Sequence, residues 1–134
     1  AALEPKVRLD RQPSFEGVTA TTRWILTADD GCFTIELFEL SDDAHDQARF
    51  SRRKPLEVFG VPTSIPTVED VLVQKVRWGG RANRRKDIDD ALNILLVSGE
   101  AIDWQYVHRW CDLHGTRALL DSLCAQAGIA PQRP

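Results

Sequence analysis

The chain has few cysteines, no long apolar run and none of the short signatures that mark common active sites. Its three cysteines, Cys32, Cys111 and Cys124, are an odd number with no Cys-x-x-Cys pair. Such a set fits neither a disulfide frame nor a zinc site, and suits reduced, partly buried thiols. Apolar runs end after four or five residues, and Leu92 to Val97 is already broken by Asn93. Nothing approaches the roughly 18 residues of a membrane span. Glu4, Lys6, Arg8 and Asp10 interrupt the opening stretch, so no signal-peptide pattern is read there. The expectation is a cytoplasmic protein with no membrane partner. There is no Gly-x-Ser-x-Gly, no Walker loop and no His-Glu-x-x-His.

What is present is ordinary for a globular chain. It has 134 residues, 43% apolar and 28% charged, the size of one domain spanning 1–134. A chain this long buries roughly two-thirds of its unfolded surface and needs no staples. The net charge of −3 argues against a globally basic, phosphate-binding surface. Two basic clusters stand out locally: Arg49, Arg52, Arg53 and Lys54, then Arg81, Arg84, Arg85 and Lys86. Each reads first as a solvated loop.

The pattern predicts strands over about 7–65 and helices over about 67–127. Residues 22–40 read as a hairpin turning at Asp29-Asp30-Gly31. Both faces of its second strand, from Cys32 to Leu40, are largely apolar, which predicts a central strand covered on both sides. Ser41-Asp42-Asp43 caps a short helix over about 43–50. A smaller hairpin follows around Gly60, made an edge or an arm by Pro62 and Pro66. Thr67, with Asp70 three residues on, starts a helix that should stop at Gly79-Gly80. A basic loop comes next. The helix over about 84–97 places Ile88, Ala91, Leu92, Leu95 and Leu96 on one stripe. Asp103 caps a helix over 103–114, Gly115 breaks it, and a last helix covers 116–127. Strands first and helices afterwards predict an α+β fold with an antiparallel or mixed sheet.

Two residues sit awkwardly in these elements. Lys75 falls in the middle of the stripe made by Val68, Val71, Leu72 and Val76, so its ammonium must snorkel past the core edge, join an ion pair or hold an anion. Glu36 lies in an otherwise apolar strand and wants a cation, a metal or a donor, Lys75 being one partner to consider. Asp87-Ile88-Asp89-Asp90 looks like a metal motif, but Asp87 and Asp89 point about 200° apart on a helix, and only Asp87 and Asp90 share a side. His108 lies on a buried stripe and reads as a satisfied core histidine.

Four stretches together resemble the nucleotidyltransferase-like superfamily, in particular small bacterial proteins related to minimal nucleotidyltransferases and to the toxins of abortive-infection toxin–antitoxin pairs. They are the strand Phe33 to Leu40, the segment Arg49-Phe50-Ser51-Arg52-Arg53, the helix start from Ile65-Pro66-Thr67-Val68-Glu69-Asp70 to Lys75, and Arg84-Arg85-Lys86-Asp87-Ile88-Asp89-Asp90 followed by the helix entry Asp103-Trp104. The resemblance covers about three-quarters of the chain. It implies Glu36 and Lys75 as catalytic or vestigial positions, Glu36 as a metal ligand, Arg52, Arg53, Arg85, Lys86 and Asp87 as ligand-binding positions, and Mg²⁺ as the cofactor of an active member.

The departures matter as much. Catalysis in this family uses a Gly-Gly or Gly-Ser turn followed by paired carboxylates on a strand, which hold two metal ions. Residues 1–31 contain no such unit: Gly17 stands alone, and Glu36 replaces the usual Asp. The chain resembles the back part of the fold, and residues 1–21 resemble the stretch that normally follows the catalytic strand. The leading expectation is a truncated or degenerate member without self-sufficient transferase activity that retains a nucleotide- or phosphate-sized site near Lys75. Exposed strand edges would favour a homodimer. The alternatives are a transferase completed by a partner chain, and a protein- or nucleic-acid-interaction module of antitoxin type that uses Arg81 to Lys86.

Overall fold

The computed structural model describes residues 7–10, 12–17 and 21–130. Readings made on 1–6 and on the tail 131–134 lie outside the described residues. The chain is α+β and divides into two compact units, Ala1–Asp46 and Gln47–Pro134.

The first unit is a small antiparallel sheet of β1 (Val7–Leu9), β2 (Ser14–Glu16), β3 (Thr21–Ala28) and β4 (Thr34–Phe38). β3 runs through its middle, with β1 and β2 along one edge and β4 along the other. The β3–β4 turn uses Gly31 at φ 71°, and the Asp30 carboxylate accepts the Cys32 amide at 3.0 Å. The hairpin expected over 22–40 is present, but β4 is an edge strand and every residue in it is exposed. The central strand is β3. The cross-strand register explains the difference. Trp24 faces Leu37 and Leu26 faces Ile35 on one side, while Ile25 faces Glu36 and Arg23 faces Phe38 on the other. The second side carries charge, so β4 has one apolar face and one mixed face.

Helix α1 (Ala44–Arg52) runs across the boundary between the units. Asp43 caps it, its carboxylate accepting the amides of His45 at 3.0 Å and Asp46 at 3.3 Å. Strands β5 (Lys54–Val58) and β6 (Val61–Ile65) form the second hairpin. Its two-residue turn holds Phe59 and Gly60 at φ 51° and 78°, the left-handed pair that matches the twist of tight hairpins.

Four helices complete the second unit: α2 (Val68–Ala82), α3 (Arg85–Ser98), α4 (Trp104–His114) and α5 (Arg117–Gln126). Thr67 caps α2 by accepting the Asp70 amide at 3.3 Å. The helix does not stop at Gly79-Gly80 but runs on to Ala82, ending at Asn83 in the left-handed region at φ 48°. Gly79 has a different task. A Cβ there would lie 2.8 Å from Cγ1 of Ile88, so the missing side chain is what lets α3 pack close. The expected basic loop shrinks to Asn83-Arg84, with Arg81 inside α2 and Arg85 and Lys86 inside α3.

The core of this unit gathers Leu72, Val73, Val76, Ala91, Leu95, Val107, Trp110, Cys111, Leu120 and Leu123, all buried. Leu96 does not join them: it is 60% exposed, because Ala91 and Leu95 centre the buried stripe of α3. Asp103 caps α4, accepting the Tyr106 amide at 3.1 Å, and Gly115 ends it at φ 68°. Among the described residues no helix is long and apolar enough to cross a membrane.

Candidate functional site

Lys75 is the residue the sequence marked most strongly, and its surroundings are charged. On α2 the buried positions are Asp70, Leu72, Val73, Gln74, Val76 and Gly79, so the stripe is turned toward Val73 and Lys75 falls on its flank rather than at its centre. Its side chain is 23% exposed. The ammonium donates to Oδ1 of Asp87 at 2.9 Å and to Oδ2 of Asp90 at 2.8 Å. Asp87 and Asp90 come from the first turns of α3, one helical turn apart on the same side, as their i, i+3 spacing requires. Asp87 is almost fully buried and its other oxygen lies 2.9 Å from Nε of Arg84. The result is a four-membered network, Arg84–Asp87–Lys75–Asp90, that ties α2 to α3 and carries no net formal charge. Burial by itself would lower the Lys75 pKa, yet the hydrogen bonds to Asp90 and Asp87 outweigh it and hold the ammonium above its usual range. The hydrogen bond from Lys75 holds Asp90 below the usual carboxylate range.

Glu36 is placed on the first unit's sheet, where it accepts from Nη1 of Arg23 at 3.3 Å. The cation that its strand setting demanded is therefore Arg23, one residue diagonal to it across the β3–β4 register. Glu36 and Lys75 each have partners inside their own unit.

Arg52 and Arg53 are neighbours with different roles. Arg52 is folded into a part-buried cluster on α1, α2 and α4. Its Nε donates to Oδ2 of Asp70 at 3.3 Å, its other end lies 3.6 Å from Glu69, and its guanidinium sits 3.9 Å over the Tyr106 ring. Asp70 has no solvent exposure and is satisfied from three sides, by Arg52, by Thr67 Oγ1 at 2.7 Å and by the Tyr106 hydroxyl at 2.5 Å. Arg53 instead lies in the open, over the Phe50 ring and bonded to the Phe50 carbonyl, beside a shallow depression lined by Ser51, Pro55 and Ser64. Arg85 is exposed and pairs with Asp89 at 3.3 Å along α3, and Lys86 is also exposed.

The structure thus brings Lys75 and Asp87 together, adding Arg84 and Asp90, and keeps Arg52 in a separate cluster. Sequence reading did not find the Asp70–Tyr106–Arg52 cluster. The available signal is Thr67-x-x-Asp70, which the sequence offers as a helix cap and as part of the resembling segment from Ile65 to Lys75. His108 is buried beside Trp104, with ring centroids 5.7 Å apart, and burial pushes its pKa below the usual histidine value. Among the described residues, no three His, Cys, Asp or Glu side chains converge as a metal site would need. Comparison with protein-family models, with curated proteins and with solved structures finds no match to this chain.

Proposed function

We propose that this chain is a degenerate nucleotidyltransferase-like protein that has no transferase activity of its own and keeps its helical half as a charged, folded scaffold. The observation that carries the reading is the position of Lys75. Two of the segments that resemble the superfamily, the α2 start and the Arg84–Asp90 run, meet at one point: the Lys75 ammonium lies 2.9 Å from Asp87.

The same geometry argues against self-sufficient chemistry. The ammonium is already bonded to two carboxylates, which leaves one of its three N–H donors and sets two anions beside it, so an incoming phosphate would meet their repulsion. Within residues 1–31 no glycine-pair turn precedes paired carboxylates, and a lone Glu36, bonded to Arg23, cannot organise two metal ions. Phosphate-sized ligands are left the exposed Arg53, Arg85 and Lys86 as contacts.

A transfer assay tests the reading. The protein is incubated with Mg²⁺ and each labelled nucleoside triphosphate, with and without RNA. The reading expects no labelled product on protein or RNA. Labelled product that requires Lys75 would mean the chain, alone or completed by a second copy, is an active transferase.

A further inference from the structure

The sheet of the first unit has two unlike faces. Its charged side chains, Arg8, Arg23 and Glu36, share one face with Thr27 and Thr34, as the register requires. The other face carries Leu9, Leu26 and Ile35 in one cross-strand row and Trp24 and Leu37 in the next, with Phe15 opposite Thr22 on the β2 side. Phe33 extends the rows beyond β4, its carbonyl accepting the Ala28 amide at 3.0 Å. Phe15 is 73% exposed, Phe33 53%, Leu9 50% and Leu37 49%. A four-stranded antiparallel sheet tolerates water on one face, but that face is ordinarily the polar one. Here one face is mixed, with Ile25 and Phe38 beside the Arg23–Glu36 pair, and the other is exposed and largely apolar.

We propose that this apolar face is the interface of a symmetric homodimer, two copies stacking sheet on sheet into a sandwich. The proposal is independent of the transferase reading above. Three features single out a second copy as the occupant. The first is charge: among the described residues of these rows, only Glu39 at the end brings a carboxylate, and it is tied to the Trp24 indole N–H at 3.1 Å. A patch whose single carboxylate sits at its end matches an identical apolar patch across its centre, and offers little to recognise in a charged partner. The second is satisfaction: with its N–H bonded, Trp24 can be covered without an orphan donor. The third is area. The exposed parts of these side chains sum to roughly 600 Å² per copy, hence about 1,200 Å² for the pair, the lower end of the range for specific interfaces. Twisted sheets of this kind stack at about 30° with interdigitating side chains, a geometry two identical faces can share.

Light scattering coupled to size exclusion, over micromolar concentrations, tests the proposal on the full chain. The expected mass is twice the 15.1 kDa of one chain. Leu37→Lys and Phe15→Lys each place an ammonium in the interface and are expected to halve the mass with the wild-type circular dichroism spectrum unchanged. Phe15 is mostly exposed, so its variant folds even if Leu37→Lys does not, and it decides the matter alone in that case. Val97→Lys, on α3 at a residue 86% exposed, is expected to leave the dimer intact. A monomeric wild type overturns the proposal, as does a dimer that survives both sheet substitutions or is broken by Val97→Lys instead.

Discussion

The hydroxyl of Tyr106 on α4 donates to Oδ1 of Asp70 on α2 at 2.5 Å, and the carboxylate that accepts it has no solvent exposure. Burial and this hydrogen bond push the phenol far above its usual pKa of 10.0, with Arg52 over the ring opposing them only partly. Tyr106 is the chain's single tyrosine, so the titration has no competing signal. Phenolate absorbance is expected to stay absent at pH 11 in the folded protein and to appear with a midpoint near 10 in denaturant. Tyr106→Phe leaves a buried carboxylate oxygen without its donor and is expected to cost about 2 kcal/mol in urea unfolding.

Removing Lys75 exposes the dependence of the helix pair on its network. Lys75→Met leaves Asp87, buried, with Arg84 as its remaining cation. The expected loss is about 2 kcal/mol, below the value for a fully buried pair because the ammonium is partly hydrated. Asp90→Asn, at the wetter end, is expected to cost about 0.5 kcal/mol. Equilibrium unfolding of both variants measures the difference.

The same network sets a pH dependence with a definite sign. The Asp90 pKa is lowered from 3.8, so its contribution is full above that value and is lost as pH falls through the lower, folded pKa. The Lys75 pKa is raised from 10.5, so its contribution is full below that value and is lost as pH rises through the higher, folded pKa. The Tm difference between wild type and Lys75→Met is therefore expected to be equal at pH 5 and pH 8, and to shrink below pH 3.8. A difference that grew on acidification would contradict the pairing.

Gly79 and Gly80 should separate cleanly. Alanine gains about 1 kcal/mol of helix propensity over glycine in a helix interior. At Gly79 the new Cβ meets Ile88 Cγ1 at 2.8 Å, a branched side chain close to its own backbone, and the overpacking outweighs the gain by about 1 kcal/mol. At Gly80 the nearest atom is Thr116 Cγ2 at 3.3 Å, so Gly80→Ala is expected to be neutral or mildly stabilising. Thermal unfolding of the two variants orders them.

Thiol reactivity reads the burial of the cysteines. Cys32 is exposed, while Cys111 and Cys124 are buried, and burial pushes the Cys111 thiol up to about 11. A disulfide reagent at pH 8 is expected to label one thiol quickly in the native chain and three in denaturant.

Much of the helical half was legible because its signals are local. Thr67 and Asp103 cap where their residue types say they should, and Gly115 takes the left-handed conformation that ends α4. The glycine pair misled because a glycine inside a helix and one that ends it look alike in one dimension; only the approach of Ile88 tells them apart. The position of β4 was misread for a similar reason. Its two faces both hold apolar residues, and whether a strand is central depends on what lies beyond it. The stripe position of Lys75 leaves snorkelling, an ion pair and a bound anion open; its carboxylates, Asp87 and Asp90, belong to the next helix, and spacing within one helix says nothing of that meeting. The Arg52–Asp70–Tyr106 cluster spans three elements, and its trace within one of them is the Thr67-x-x-Asp70 spacing at the start of α2.

Calorimetric titration tests the proposal that the chain is a nucleotidyltransferase-like scaffold whose Lys75 pairs with aspartates and not with a nucleotide. Mg²⁺ with ATP, GTP, CTP or UTP is titrated into wild type and into Lys75→Ala, each checked for folding by circular dichroism. The account predicts no Mg²⁺-dependent nucleotide binding that distinguishes the two proteins. Binding that requires Mg²⁺ and disappears in folded Lys75→Ala would contradict it, and would place a working nucleotide site at the junction of α2 and α3.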